Sequence, residues 1–316
     1  MANLLIGDLV EVVSSAEILQ TLDANGSLNG LPFMPEMLEY CGKRFRLANM
    51  IQKTCVESSP RFFDLRGFRE GDVWVLDELR CSGAEHDECG RRCLLFWKAA
   101  WLRKVDVSQP LRQRHPVDCE QARSRLKTFS APGIYFCQST ELVKATESLS
   151  KPQRFLKCIA DIRAGAVGVF EMLVLVVRWL CWKTVLQFVP RHLVGTLTRT
   201  PGSNLNLEVG EIVEVKCANE IVQSLDRGGC NRGLRYDRTL NKFGGKEHKV
   251  LHRLDRMISE PTGKMLKVGN TVMLEEAMCP CYAAVFGGCP RKDFVYWREV
   301  WLKRVGVNKA ETTASQ

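Results

Sequence analysis

The sequence predicts an α+β fold, mainly β, in which two related small domains flank a helical centre. One observation is a repeat, since GDLVEVVSSAEILQTLDANGSLNGLPF at 7–33 corresponds to GEIVEVKCANEIVQSLDRGGCNRGLRY at 210–236. A second is that FWKAAWLRKV at 96–105 corresponds to YWREVWLKRV at 296–305. A third is the region between the copies, which resembles neither of them and contains apolar residues at helical spacing.

The chain length bounds the number of domains. Its 316 residues, 45% of them hydrophobic, can bury two or three cores of ordinary size. The predicted domains are a first repeat at 1–106, a linker and helical region at 107–203, a second repeat at 204–306, and a disordered tail at 307–316.

Each repeat begins with a short strand and a helix, followed by two further β segments. Apolar residues at alternate positions indicate the strands, and apolar residues three or four positions apart indicate the helix. In the first copy the predicted elements are a strand at 8–13, a helix at 16–22, and β segments at 43–51 and 73–79. In the second they are a strand at 211–215, a helix at 219–225, β segments at 246–257 and 271–275, and a hairpin turn at 260–263.

The last segment of each repeat predicts a short helical turn and a closing strand. Trp97 and Trp101 lie four residues apart, as do Trp297 and Trp301, so each pair shares one face of its turn. We expect these tryptophans to anchor the two cores. Several short strands, an inserted helix and this closing turn resemble a small SH3-like β-barrel, the class that includes KOW modules.

Three central helices are predicted, at about 140–148, 152–163 and 167–189. The third is apolar almost all round and about as long as a membrane-spanning helix. Its charged residues, Glu171, Arg178 and Lys183, would each cost about 2.5 to 3.5 kcal/mol near the bilayer centre. We therefore expect a core helix, with peripheral membrane contact through 167–189 as the alternative.

Charge is distributed unevenly along the chain. The net charge is −2 over 1–105, +7 over 106–203 and +4 over 204–316, within a total of +9. An acidic partner is therefore expected at the centre or the second copy. The start, MANLLIGDLVEVV, lacks the basic region of a secretory signal, which predicts a cytoplasmic protein whose 14 cysteines are thiols or metal ligands.

The first repeat contains a cluster of residues that bind metals. Zinc takes four thiolate or imidazole ligands in a tetrahedral arrangement. The six candidates are Cys81, His86, Cys89 and Cys93, which form a C-x4-H-x2-C-x3-C pattern, and Cys41 and Cys55 upstream. We predict that four of these six hold one structural zinc ion.

Two ligand sets remain open. The C-x4-H-x2-C-x3-C pattern supplies one set by itself. If the strand that begins near Lys43 pairs antiparallel with 73–79, Cys41 lies beside Cys81 and replaces His86 in an all-cysteine set. Cys55 ranks last because it lies at the far end of that strand. Buried thiols are otherwise small hydrophobic residues, but the clustering favours a metal.

The second copy is predicted to lack the metal. Only two of the four pattern residues have equivalents, since Cys281 and Cys289 are retained whereas Phe286 and Asp293 replace His86 and Cys93. The positions of Cys41 and Cys55 are occupied by Gly244 and Ile258, and Cys279 is an additional thiol. Three thiols do not complete a closed zinc site.

Catalytic motifs are absent from the sequence. It contains no GxxxxGK[ST], GxGxxG, GxSxG or HExxH. Cys137 has no histidine close in sequence to act as a base, so no catalytic residue is predicted.

Several segments are distinctive in combination: GLPFMPEM (30–37), YCG (40–42), KTC (53–55), RCSGAEHDECGRRC (80–93), FWKAAWL (96–102), CQSTEL (137–142), DRMISEPTGKML (255–266), CPR (289–291) and YWREVWLKRV (296–305). Together they resemble an uncharacterised family of bacterial hypothetical proteins with tandem SH3-like or KOW-like repeats. The resemblance covers nearly the whole chain. It implies a shared architecture and a Cys/His motif in the first copy, and it implies no activity.

The sequence thus favours a non-enzymatic, zinc-stabilised binding or scaffold protein, because duplication readily doubles a binding surface. The expected partner is a protein or a polyanion. One alternative is a nucleic-acid-binding protein, which the KOW-like pattern and the basic centre favour. A second is a zinc- or thiol-dependent enzyme, which requires an open metal position and a cleft.

Overall fold

The computed structural model describes residues 4–59, 62–106, 116–163, 165, 167–184, 193–279 and 291–305. The fold is α+β and has more strand than helix, 33% against 26%. The predicted fold class is confirmed at this level. The predicted tail at 307–316 lies outside the described residues.

The secondary structure up to residue 184 mixes short strands with five α-helices. In chain order the elements are β1 (Leu9–Val12), α1 (Ser15–Thr21), β2 (Ser27–Leu28), β3 (Leu31–Pro32), β4 (Arg44–Met50), β5 (Lys53–Ser59), β6 (Phe62–Phe68), β7 (Val73–Leu76), β8 (Trp97–Lys98), β9 (Leu102–Lys104), α2 (Pro116–Arg125), β10 (Phe129–Ala131), β11 (Ile134–Tyr135), α3 (Gln138–Ala145), β12 (Thr146–Ser148), α4 (Lys151–Arg163) and α5 (Val169–Thr184). Two 3-10 helices, Pro35–Tyr40 and Ala99–Trp101, complete this part.

The elements after residue 193 are mostly strands. They are β13 (Ile212–Val215), α6 (Ala218–Val222), β14 (Cys230–Asn231), β15 (Leu234–Arg235), β16 (Glu247–Arg253), β17 (Arg256–Ile258), β18 (Met265–Lys267), β19 (Thr271–Met278), β20 (Phe294–Arg298) and β21 (Leu302–Arg304). Two 3-10 helices, Arg238–Phe243 and Glu299–Trp301, occur here.

The chain divides into two compact units. The first comprises Met1–Leu186, Arg256–Lys267 and Cys279–Asp293, and the second comprises the remaining residues. The predicted boundaries kept the second repeat in one piece, whereas two of its segments belong to the first unit. Similarity between repeats does not reveal this arrangement, because it reports the ancestry of a segment and not its packing partner.

A five-stranded antiparallel sheet forms the core of the first unit, in the order β8-β7-β4-β1-β9. In β1, Val10 pairs with Phe45 of β4 on one side and with Lys104 of β9 on the other. β4 pairs antiparallel with β7, as the sequence analysis supposed. Val10 and Val12 are fully buried, and Glu11 between them is only 3% exposed, so both faces of β1 are covered.

A second sheet in the first unit joins the repeat to the central region. β5 and β6 form a hairpin, and β12 pairs with β6. The Arg66 side chain donates to the Thr146 hydroxyl at 2.9 Å and to the Thr146 carbonyl at 2.9 Å. Neither strand of this hairpin was predicted from the sequence.

The central helices follow the prediction closely. α3 confirms the first helix as far as Ala145, whereas 146–148, predicted as its last turn, form the strand β12. α4 confirms the second helix, and α5 confirms the third as far as residue 184, while 185–189 lie outside the described residues. α2 was not predicted, because its sequence is mostly polar and gives little amphipathic periodicity. Its Ala122 is buried in the core of the first unit.

The second unit has its own five-stranded antiparallel sheet, in the order β20-β19-β16-β13-β21. Val213 of β13 pairs with His248 of β16 and with Arg304 of β21. The strands that the sequence comparison matches occupy corresponding positions in the two sheets. The hairpin turn predicted at 260–263 is confirmed, since it joins β17 to β18 within the first unit.

The four repeated tryptophans are fully buried, which confirms that they anchor the cores. The indole of Trp101 donates to the Thr21 hydroxyl at 3.0 Å, and that of Trp301 donates to the Ser224 hydroxyl at 3.0 Å. Each also meets an aromatic ring edge-on, Phe33 in the first unit and Tyr236 in the second. The two cores therefore use corresponding contacts.

The expectation that α5 is a core helix is wrong for one of its faces. Met172 is buried, whereas five large apolar side chains are exposed: Val169, Phe170, Leu173, Val177 and Leu180. A helix that is apolar all round gives no indication of which face is covered. In the described part of the chain, no helix combines the length and apolarity that crossing a bilayer requires.

Candidate metal centre

The Cys/His motif of the first repeat lies on the loop between β7 and β8. The ends of the loop are joined by an isolated antiparallel bridge between Arg80 and Leu94. The Cys81 amide donates to the Cys93 carbonyl at 2.8 Å. The first and last cysteines of the motif are therefore neighbours through their backbones.

Gly83 folds the loop back on itself. Its φ is +77°, and a Cβ at this position would lie 2.1 Å from the carbonyl oxygen of Cys89. The Cys89 amide donates to the Gly83 carbonyl at 3.3 Å. This close approach, which only glycine permits, brings the backbone of Cys89 toward that of Cys81.

The four residues of the pattern line one small cavity of about 30 Å³. Cys81, His86, Cys89 and Cys93 are joined there by Cys137, from the start of α3. A void of this size holds about one water molecule. The structure therefore brings together four of the six predicted ligands.

The other two predicted ligands lie elsewhere. Cys41 is buried in the main core of the first unit and does not line the cavity. Cys55 is buried on β5, where its carbonyl accepts a hydrogen bond from Arg291 at 3.0 Å. In the part of the chain that the structure describes, no group of three or more His, Cys, Asp or Glu side chains is arranged to hold a metal ion.

Both ring nitrogens of His86 already contact oxygen atoms. Nδ1 lies 2.5 Å from Oε1 of Glu36, and Nε2 lies 3.0 Å from the Phe136 carbonyl oxygen. Burial alone would lower the pKa of His86, but the hydrogen bond and charge of Glu36 outweigh it and raise that pKa. Because both nitrogens face oxygen atoms, a metal could bind His86 only if one of these contacts were broken.

Burial disfavours the charged form of three thiols that line the cavity. Burial raises the pKa of Cys93 to about 12, and it raises the pKa values of Cys81 and Cys137 above the usual thiol range. A buried neutral thiol is inert as a nucleophile. Burial raises the pKa of Cys137 and so disfavours its thiolate, which is the form that acts as a nucleophile.

A buried ionic cluster adjoins the cavity. Glu260, in the turn between β17 and β18, accepts two hydrogen bonds from Arg291, at 2.7 and 3.1 Å, and one from Arg91 at 3.2 Å. It also accepts hydrogen bonds from the Ser139 hydroxyl at 3.0 Å and the Glu57 amide at 2.8 Å. Because Arg91 and Ser139 also line the cavity, the cluster fixes part of its wall.

Sequence reasoning missed two residues of this centre. Cys137 lies 44 positions after Cys93 and Glu36 lies 50 before His86, so neither belongs to the local pattern. The one sequence feature that pointed to Cys137 was the CQSTEL segment, which starts at that residue. The equivalent positions of the second copy, Cys281, Phe286 and Cys289, lie outside the described residues, so its predicted loss of metal remains a prediction.

Comparison with known proteins gives no additional information on the family or the site. No protein-family model, curated protein or solved structure matches this chain.

Proposed function

We propose that this protein is a non-enzymatic binding or scaffold protein whose first unit is stabilised by zinc. The observation that carries the proposal is the small cavity lined by Cys81, His86, Cys89 and Cys93. Its volume of about 30 Å³ leaves no room for a substrate. Closed sites made only of protein ligands are structural. Reduced thiols also fit a cytoplasmic protein.

We further propose that each repeat is an SH3-like barrel of common descent. Support comes from the corresponding strand orders of the two five-stranded sheets. In both, a single 3-10 turn leads into the last strand, at Ala99–Trp101 and at Glu299–Trp301. The resemblance to an uncharacterised family with tandem repeats agrees with this proposal. A doubled barrel provides two related binding surfaces.

Purified wild-type protein is expected to contain about one zinc ion per chain, measured by elemental analysis. Cys81→Ser is expected to lose it, whereas Cys230→Ser, a thiol of the second unit, is expected to keep it. Free zinc at 100 times its Kd stabilises the folded state by about 2.7 kcal/mol. A chelator should therefore lower the urea midpoint of the wild type. Metal-free wild type with an unchanged midpoint in chelator would contradict the proposal.

A second candidate function is nucleic-acid binding by the second unit. An open cavity of about 660 Å³ there is lined by Arg199 and Arg232, together with Thr200 and Gly202. Guanidinium groups beside an open concave surface suit phosphate recognition. The second unit, 187–255, 268–278 and 294–316, has a net charge of +3, which also favours an anionic partner.

Salt dependence tests this second candidate. If it is correct, fluorescence anisotropy with a labelled DNA duplex should show affinity that falls steeply between 50 and 200 mM salt, because phosphate contacts release counterions. The Arg199→Ala/Arg232→Ala double variant should bind more weakly, with a slope of log K against log salt that is shallower by about 2. Binding that is absent, or insensitive to salt, would remove the candidate.

A further inference from the structure

We propose that the first unit binds one long-chain monoanion, a fatty-acid carboxylate, in a groove along α4. The residues that line this groove are different from those that line the cavity of the metal centre. The inference therefore goes beyond the zinc-stabilised unit and does not depend on it.

One face of α4 forms part of the groove. The volume of the groove is about 390 Å³, within the roughly 300 to 1,000 Å³ that is usual for small-molecule sites. Residues 4–6, Met50 of β4 and Trp74 of β7 supply much of the remaining lining, and all of them belong to the first unit. The residues of α4 are spaced three or four apart, as on one helix face: Leu156, Ile159, Ala160 and Arg163.

The lining is mostly apolar and partly open to solvent. Leu5 is 58% exposed and Leu156 is 61% exposed, whereas Trp74 is only 5% exposed. The groove thus has a buried apolar base and exposed apolar sides. An alkyl chain that lies in it would remove these apolar surfaces from water, which is favourable.

Positive charge lies beside this apolar surface. Among the described residues that line the groove, Arg163 is the only charged one, and it is exposed at the last position of α4. Lys157 brings a second positive charge close, since its Nζ donates to Oε1 of Gln52 at 3.1 Å and Gln52 also lines the groove. The acidic residue of α4, Asp161, is already paired with Lys53 at 2.5 Å.

This combination selects the class of ligand. Apolar walls with a few polar groups that fix orientation are typical of small-molecule sites. An uncharged hydrocarbon would make no use of Arg163, and a polyanion would gain little from walls that are mainly apolar. A ligand with one alkyl chain and a single carboxylate matches both parts of the groove.

Isothermal titration calorimetry of the full chain with decanoate, below its micellar concentration, tests the inference. We expect one decanoate per chain. Leu156→Asp should weaken binding by at least about 10-fold, because it removes the apolar contact of one leucine. Phe155→Asp is the matched control, since Phe155 is the adjacent residue of α4, is 68% exposed and lies outside the groove lining. Its affinity for decanoate should be unchanged.

A second pair of ligands tests the role of the charge. Arg163→Gln should weaken decanoate binding by about 5-fold, the upper value for an exposed ion pair. The same variant should bind decan-1-ol, which has no carboxylate, as the wild type does. Arg154→Gln is the control, because Arg154 is an exposed arginine of α4 outside the groove lining. Affinity should also rise by about 4-fold for each CH₂ group from octanoate to decanoate.

Absent decanoate binding, or binding that Leu156→Asp leaves unchanged, would overturn the inference. Equal losses for decanoate and decan-1-ol in Arg163→Gln would also overturn it, as would binding to vesicles of anionic lipid without binding of dissolved decanoate. Metal-free wild type that binds decanoate would contradict only the zinc-stabilised unit.

Discussion

Replacing Glu260 with glutamine is expected to lower the free energy of unfolding by about 3 kcal/mol at neutral pH. The Glu260 side chain is almost fully buried and forms ion pairs with Arg91 and Arg291. Both carboxylate oxygens accept hydrogen bonds, from Glu57 and Ser139 as well as from these arginines. A neutral amide would leave buried guanidinium groups with less compensating charge and would place a second donor against them.

Urea denaturation followed by circular dichroism measures this loss. Glu78→Gln is the matched control, because Glu78 pairs with Lys292 at 2.9 Å but both side chains are about half exposed. An exposed pair contributes about 1 kcal/mol or less. Equal effects of the two substitutions would show that the Glu260 cluster does not stabilise the fold as its burial indicates.

The contribution of Glu260 to the free energy of unfolding should also depend on pH. Burial acts to raise the pKa of Glu260, but the charges of Arg291 and Arg91 outweigh it and hold that pKa below its usual 4.5. A depressed pKa means that the stabilisation is present above pH 4.5 and is lost as the pH falls through the folded-state value. The stability difference between wild type and Glu260→Gln should therefore shrink in acid. Comparing the two proteins isolates Glu260 from Glu57 and Asp293, whose pKa values burial raises.

Replacing Gly83 with alanine is expected to have the second large effect, about 2 to 5 kcal/mol of destabilisation. The positive φ costs a non-glycine residue about 1 to 2 kcal/mol, and forcing atoms into a packed site costs about 1 to 3 kcal/mol more. Because the new Cβ would meet the Cys89 carbonyl at 2.1 Å, the loop has to open. Cys81 and Cys89 would then separate, and zinc affinity should fall together with stability.

Gly133→Ala separates the two contributions. Gly133 has a similar φ of +72°, but a Cβ there would meet no atom within 4 Å. The Gly133→Ala variant should therefore lose only the free energy that the positive φ costs an alanine, and its zinc binding should be unchanged. Urea midpoints and zinc content of both variants check this prediction. Equal destabilisation of the two variants would mean that the contact with Cys89 relaxes at no cost.

The sequence was most informative where periodicity is local. Spacing of four residues between Trp97 and Trp101 predicted their burial, and alternation predicted β1 to within a residue at each end. It failed for the β5–β6 hairpin, and for β12, which lies about 80 residues after its partner β6. Pairing at such a distance is decided by tertiary packing, which leaves no local periodicity to detect.

In the candidate site, too, contacts within a short loop were predictable from the sequence, whereas contacts between distant segments were not. Local spacing correctly grouped Cys81, His86, Cys89 and Cys93 at one cavity, because a short loop keeps its residues together. Spacing could not show that Glu36 engages the His86 ring, or that Cys137 lines the same cavity. Both depend on where the 3-10 helix at Pro35–Tyr40 and α3 pack, which is set by the core and not by the motif.

The interleaved composition of the first unit also affects its synthesis. Arg256–Lys267 and Cys279–Asp293 belong to that unit, so a nascent chain cannot complete it when residue 186 leaves the ribosome. At usual elongation rates the remaining segments follow only after roughly 5 to 20 s. For that interval Arg91 and Ser139 lack Glu260, and the incomplete unit has to be shielded by chaperones or avoid aggregation by itself.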